Sequence, residues 1–397
     1  MFLLLLLLIP SLITDALISD LELVEGDIRI SSPRGKRQLS TTTAKWPDNT
    51  VPYTFHDSIK GAKKAVLLDA MTHISSKTCI KFTENYDSSK SYLVFEDGGA
   101  CWSHIGNQGN SGQGISIGDG CDLLGNAVHE IMHALGIHHT QNRHDRDLFV
   151  NVSETNNPNF QIDNLAELVV PYEYGSTMHY GYNQFEGVYV TPKQPEFLYT
   201  MGSRRVSFYD MVKINKLYQC SCDKELDCEN GSYSNPANCS ECVCPSGYGG
   251  RLCDKPPFNS NHLMASQNWE DYSLTLTPRS SGTSYSYTTK TIIVHAPADK
   301  TIQVQIMEMD GFSDTYGCRM NGIEVKYMGD PRIVNPIHCS NGTIGSIFTG
   351  KLNPMPILFY KRDDTISKLG FRYRYLDIPL SNLKKGTNGY DNFEYYQ

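Results

Sequence analysis

His129-Glu130-Ile131-Met132-His133-Ala134-Leu135-Gly136-Ile137-His138-His139-Thr140-Gln141-Asn142-Arg143 opens with the pattern H-E-x-x-H. On a helix, His129 and His133 lie one turn apart on a shared face. Two imidazoles so placed can hold one metal ion. Glu130 stands one step round, beside the position of a metal-held water. A cation there lowers the water's pKa and the carboxylate takes its proton, which is the working arrangement of a zinc hydrolase. Taken alone, H-E-x-x-H also describes two ordinary helical histidines beside a solvated Glu.

The following residues separate these readings. If the helix continued, His138 and His139 would stand about 900° and 1000° on from His129, at ~100° per residue. Neither would then face the metal. Gly136 tolerates positive φ and can end the helix, so the chain can turn and bring a third histidine from the other side. The string H-E-x-x-H-x-x-G-x-x-H is the metzincin signature. Its spacing selects His139 as the third ligand, with His138 as the alternative.

The chain has 397 residues, 40% hydrophobic and 20% charged, with a net charge of −8. That length allows two or three domains. The acidic balance gives no basic surface for nucleic acid or an anionic membrane. The 12 cysteines are grouped by region and point to disulfides in an oxidising compartment. Sequons stand at Asn151, Asn230, Asn238 and Asn341, as expected of a secreted glycoprotein.

The apolar run Phe2 to Ile13 is shorter than the ~20 residues a span needs. With Thr14-Asp15-Ala16 behind it, residues 1–16 fit a signal peptide. No second apolar run of spanning length follows, so release from the cell is expected. Residues 17–37 are short, charged and end in Arg34-Gly35-Lys36-Arg37, which reads as a paired-basic cut site just before the folded region, with a solvated charge cluster as the plain alternative. Cleavage after Arg37 would start the mature chain at Gln38.

Residues 38–220 read as the catalytic domain. Strands are expected at Thr50 to His56, Ser91 to Glu96 and Ile115 to Ile117. Gly61 to Ser75 has helical spacing with Ala65, Leu68 and Met71 on one side. A helix over Leu123 to Gly136 carries the motif, and Phe208 to Leu217 reads as a closing helix. Strands before the motif and loops after it suggest two lobes around a cleft. Tyr174-Gly175-Ser176-Thr177-Met178-His179-Tyr180 supplies a methionine after a Gly-containing turn, as the metzincin Met-turn requires.

These stretches, with Trp46-Pro47, Val51-Pro52-Tyr53, Arg143 to Asp147, Pro171 to Tyr180 and Met201 to Cys220, resemble the astacin family of secreted zinc endopeptidases. The resemblance implies an α+β, two-lobed metzincin fold with one Zn2+ held by His129, His133 and His139. It makes Glu130 the general base, Met178 a floor under the metal, and Tyr180 a switch tyrosine that ligates zinc at rest and then stabilises the oxyanion. It pairs Cys79 with Cys220 and Cys101 with Cys121. Val24-Glu25-Gly26-Asp27 is similar to the family's F-x-G-D latency motif, so Asp27 would fill the zinc's open position in the zymogen. A surface turn is the plain alternative there. One position departs from the family: Thr140 stands where a Glu usually meets the mature N-terminal ammonium. Cyclisation of Gln38 to an uncharged pyroglutamyl group would lessen the need for that carboxylate.

Residues 221–254 hold six cysteines, Cys222 to Cys253, in a unit too small to bury an adequate core without staples. Six cysteines allow fifteen pairings. The unit resembles an EGF-like module, which implies Cys222–Cys239, Cys228–Cys242 and Cys244–Cys253; a zinc cluster competes, and secretion argues for disulfides. Residues 255–262, with Pro256-Pro257, read as a linker. Over residues 263–378, strands expected at Ser284 to Val294, Thr301 to Met307, Ile323 to Tyr327, Ile357 to Tyr360 and Gly370 to Tyr375 suggest a β-sandwich. It resembles a CUB domain with one bridge, Cys318–Cys339. The tail 379–397 carries no functional signal.

The reading is therefore a secreted zinc endopeptidase made as a zymogen, acting on extracellular proteins, matrix or cuticle among them. An extracellular binding or matrix protein with a silent protease domain competes, but all five key residues are present. A thermolysin-like enzyme with Glu as third ligand is disfavoured by Gly136, His139 and Met178.

Overall fold

A computed structural model describes residues 23–29, 44–84, 87, 89–163, 169–184, 187–277, 287–362 and 364–383. The expected leader at 1–16, the cut after Arg37, Gln38 and most of the tail lie outside the described residues.

The N-terminal half is built on a mixed sheet. Its strands are β1 (Leu23–Val24), β2 (Ile28–Arg29), β3 (Thr50–Phe55), β4 (Lys81–Glu84), β5 (Leu93–Glu96), β6 (Cys101–Ser103) and β7 (Gln113–Ile117), in the order β1-β2-β6-β7-β5-β3-β4. The hairpin β1–β2 therefore extends the sheet beyond β6, which it meets in parallel at Ile28 and Ser103. Helix α1 (Gly61–Ser75) and helix α2 (Leu124–Ala134) cover the sheet. The expected face of α1 is wrong by about one residue's rotation. Leu68 is exposed, as is Ala65, and the helix buries Val66, Leu67, Ala70, Met71 and Ile74 instead. That set follows the i, i+4, i+8 rows that turn toward a core.

Helix α2 is buried almost all round, from Ala127 to Ala134. It stops where the sequence predicts. Gly136 has φ of 103°, and Ile137 N–H turns back to the Met132 carbonyl at 2.9 Å. Trp46 pins the start of the described peptidase chain to this end of α2, its Nε1 donating to the Ala134 carbonyl at 2.8 Å. After α2 the chain runs through short 3-10 turns and the pair β8 (Val150–Val152) and β9 (Val190–Pro192) to α3 (Phe208–Tyr218). Ser207 and Asp210 form a capping box at the start of α3. Disulfides Cys79–Cys220 and Cys101–Cys121 close this half.

Cysteines 222–253 pair 222–239, 228–242 and 244–253 around a small hairpin, β10 (Tyr233–Ser234) and β11 (Cys242–Val243). The C-terminal part is two facing antiparallel-dominated sheets. Its strands are β12 (Asn261–Met264), β13 (Glu270–Leu276), β14 (Thr288–His295), β15 (Lys300–Asp310), β16 (Asn321–Val325), β17 (Ile337–His338), β18 (Ile347–Thr349), β19 (Met355–Lys361) and β20 (Ser367–Pro379). They form sheets β12-β14-β19-β16-β17 and β13-β20-β15-β18. Ile292, Val294, Val304, Ile323, Phe359 and Phe371 fill the space between, and Cys318–Cys339 staples one end. Strand β12 begins inside the stretch expected as linker, and β13 was not foreseen.

Candidate metal centre

The last turns of α2 aim His129 and His133 inward, and the Gly136 turn swings His139 to meet them. The three Nε2 atoms stand 3.1, 3.1 and 3.3 Å apart. A tetrahedral zinc with bonds of about 2.0–2.1 Å would separate its nitrogens by roughly 3.3–3.4 Å, so the triangle fits such an ion. His138 is elsewhere, with Nδ1 2.5 Å from Asp163. Asp27 completes the group: its carboxylate lies 3.1 Å from His129 Nε2 and 3.2 Å from His139 Nε2. One ligand atom from each of these four residues falls within 4.8 Å of all the others.

The outer nitrogens are anchored, which sets the tautomers. His129 Nδ1 donates to the Thr177 carbonyl at 2.7 Å and His133 Nδ1 to the Ile137 carbonyl at 2.8 Å. Both rings are thereby left with a bare Nε2 for a metal. His139 Nδ1 meets the Glu25 carboxylate at 2.7 Å, a contact no sequence pattern announced.

Charge in the pocket fits a cation. Burial alone would raise the Asp27 pKa, but the imidazoles of His139 and His129 hold its carboxyl well below the usual carboxylate range. Burial works against a charge on His139, yet Asp27 and Glu25 push its pKa up to about 9. Burial lowers His129 and His133, and the neighbouring rings press His133 further. A pocket that keeps an ionised carboxylate among three imidazoles, two of them resisting protons, suits one divalent ion.

Glu130 is buried beside them. Burial raises its pKa well above the ordinary value and the Asp27 carboxylate adds to the push, while Arg204 opposes it. Its Oε2 has no hydrogen-bond partner among the described residues. Tyr180 is buried with its ring 4.4 Å from that of His139. Its hydroxyl donates to Asp27 Oδ1 at 3.1 Å and to the Glu25 carbonyl.

Met178 is fully buried in the same core cluster as Val128, Ile131 and Met132 of α2. The turn before it hangs on α3: Asp210 accepts from Ser176 Oγ at 2.5 Å and from Thr177 N–H at 2.9 Å. Thr140 is buried, its hydroxyl 3.3 Å from the Lys213 ammonium, which also donates to Ser176 Oγ at 2.8 Å. The position next to the third histidine thus already holds an internal ammonium. Sequence reasoning missed Glu25, Arg204, Asp210 and Lys213; only the S-x-x-D pattern of Ser207 and Asp210 carried a signal, that of a helix cap.

Of the sequons, Asn151, Asn238 and Asn341 are exposed, whereas Asn230 is half-buried with its amide donated to the Cys253 carbonyl at 2.8 Å. No helix among the described residues is long and apolar enough to cross a membrane.

Three converging imidazoles on an H-E-x-x-H helix that ends at a glycine, with the buried Glu130 carboxyl beside them, define a mononuclear metallohydrolase of the metzincin kind. Residues 38–219 match the model of the peptidase family Astacin. A Caenorhabditis elegans protein, zinc metalloproteinase nas-17, is 45% identical over 95% of this chain and 90% of its own. Zinc metalloproteinase nas-16 of the same organism is 41% identical over 94% of this chain and 88% of its own. Among solved structures, high choriolytic enzyme 1, a hatching enzyme zinc-protease from the medaka fish Oryzias latipes, is 30% identical and covers 47% of this chain and 98% of that one, with a TM-score of 0.41. The chain belongs to the astacin family and is a zinc metalloendopeptidase.

Proposed function

We propose that this enzyme is secreted as a zymogen and, once freed of residues 17–37, cuts extracellular proteins, with matrix or cuticle proteins as the substrate class. Residues 1–16 are the leader, and the cut follows Arg37. The segments 221–254 and 263–378 are an EGF-like module and a CUB-like domain that accompany the peptidase domain, 38–220, outside the cell, with glycans on the exposed sequons. Six disulfides support that compartment.

One observation carries the zymogen reading: Asp27 stands at the fourth corner of the histidine group. A carboxylate is a sound zinc ligand there, and it fills the place a catalytic water needs. When bound, zinc supplies Lewis acidity to the scissile carbonyl and makes a nearby water acidic. Glu130 accepts the proton of the attacking water and later passes it to the leaving amine. Its raised pKa suits the second role, and departure of the Asp27 charge eases the first. Tyr180, released from Asp27 and the Glu25 carbonyl, gives its hydroxyl to the developing oxyanion. His129, His133 and His139 hold the metal, the first two rings fixed through their outer nitrogens by the Thr177 and Ile137 carbonyls.

The test is cleavage of casein or a quenched peptide by the chain cut at Arg37. Activity should vanish in Glu130→Ala with zinc content unchanged. An active Glu130→Ala enzyme, or a cut wild-type chain that holds zinc and cleaves nothing, defeats the reading.

A further inference from the structure

The C-terminal sandwich does not hang free of the peptidase half. Its loop between β16 and β17 sits against the segment that leads into Met178. Met328 and Ile333 of that loop are buried in one apolar cluster with Tyr172, Tyr174, Phe197 and Met201. Polar contacts flank this patch: Ile337 N–H donates to Thr200 Oγ1 at 2.8 Å, Arg319 Nε to the Gly202 carbonyl at 3.1 Å, and Arg205 pairs with the buried Glu324 at 3.1 Å.

Val334 makes the contact nearest the site. Its N–H donates to Glu173 Oε1 at 3.1 Å, and the other oxygen of that carboxylate accepts from Ser207 Oγ at 2.5 Å. Ser207 caps α3 together with Asp210, the residue that holds Ser176 and Thr177. The Thr177 carbonyl in turn orients His129. The Val334 side chain lies over Gly175. A Cβ built on Gly175 would have its three nearest neighbours all on Val334, at 2.4, 2.5 and 3.0 Å. The two halves therefore meet with no room for a single methyl, directly before the Met-turn.

We infer that the C-terminal sandwich is a positioning element of the metal centre, with Val334 fixing the Tyr174–Tyr180 segment from outside the peptidase domain. This rests on the reading of Met178 as the floor of the zinc site. Val334 touches neither metal nor substrate; it acts through Glu173, Ser207 and Asp210. The sandwich is then part of what makes the site competent, beyond any binding surface it offers.

A steric cycle on the full-length, activated enzyme tests this. Gly175→Ala forces its methyl against Val334; Val334→Gly removes the obstruction. Gly175→Ala should lower kcat at least tenfold per bound zinc, leave KM within twofold, and alter the visible spectrum of the cobalt-substituted enzyme. The double variant should return kcat to within threefold of wild type and restore that spectrum, whereas Val334→Gly alone should fall less than Gly175→Ala. A Gly175→Ala enzyme with wild-type kcat and spectrum overturns the proposal, as does a double variant that recovers neither. If Gly175→Ala yields no folded protein, Glu173→Gln carries the test: at equal zinc content it should lower kcat at least threefold, and an unchanged kcat overturns the proposal. Silence of the wild-type enzyme in the same assay would instead defeat the underlying functional reading.

Discussion

Replacing Asp27 by Asn in a chain that cannot be cut isolates what the carboxylate contributes to the proposed latency. Lys36→Gln and Arg37→Gln remove the proposed cut site, so the segment that carries Asp27 stays attached. Asparagine keeps the shape and leaves an oxygen for the Tyr180 hydroxyl, but it removes the negative charge from among His129, His133 and His139. Asp27 is only 15% exposed at its side chain, so solvent does little to screen that charge. Removing one partner of a buried ionic group costs about 3–5 kcal/mol. At about 1.4 kcal/mol per factor of ten, the open fraction should rise by roughly a hundredfold to a few thousandfold. The segment keeps other holds: Ser103 N–H to the Asp27 carbonyl at 2.9 Å, Glu25 on His139, and Arg29 over the Trp102 ring at 4.5 Å. The uncut variant should therefore leak activity and remain below the fully processed enzyme. The assay is the initial rate of quenched-peptide cleavage by both uncut proteins at matched zinc content. Equal silence of the uncut chains with and without Asp27→Asn would refute the reasoning.

Acid should weaken the fold through His179. The ring is fully buried, its Nδ1 donating to the Tyr180 carbonyl at 2.7 Å and its Nε2 accepting from Tyr172 at 2.7 Å. Burial pushes its pKa down to about 3 from 6.5, so the unfolded chain takes up a proton that the folded one refuses. Stability from this source is full above about pH 6.5 and is lost as pH falls, with about 2 kcal/mol gone by pH 5. Urea midpoints at pH 7 and pH 5 should diverge less in His179→Gln than in wild type. Opening Cys79–Cys220, whose partners are 141 residues apart, by the double Ser variant should lower unfolding free energy by up to ~5 kcal/mol, measured by denaturant titration. Leu67→Ala should cost about 2–5 kcal/mol as a core truncation, whereas Leu68→Ala should stay within about 0.5 kcal/mol; equal effects would show the face of α1 to be misassigned.

The histidine cluster was legible because its ligands lie close together in the chain and the glycine that joins them has one conformational job. The bounds of α1 were legible too, but its buried face was not. Ala65, Val66, Leu67 and Leu68 are consecutive apolar residues, so they wrap the helix and leave no single stripe to choose. Met71 lies on both candidate stripes and is buried. Strands β12 and β13 escaped notice for a related reason: each sits at a sheet edge with alternate residues exposed, and Asn, His, Glu and Asp dilute their pattern. Glu173, Arg204 and Val334 could not be found from sequence at all. Their meaning comes from distant segments that only the folded chain brings together.

The anchoring of Trp46 at the end of α2 has a kinetic consequence. If the hairpin is inhibitory, as proposed, then while Asp27 and Trp46 share an unbroken chain it is leashed beside the histidine group and acts as though present at an effective concentration on the order of millimolar. A single hydrolysed bond between Arg29 and Ala44 leaves Trp46 where it is and turns the hairpin β1–β2 into a free peptide. The same contacts must then compete with dilution into a much larger volume. On that reading, switching on needs no change in affinity, only a broken tether.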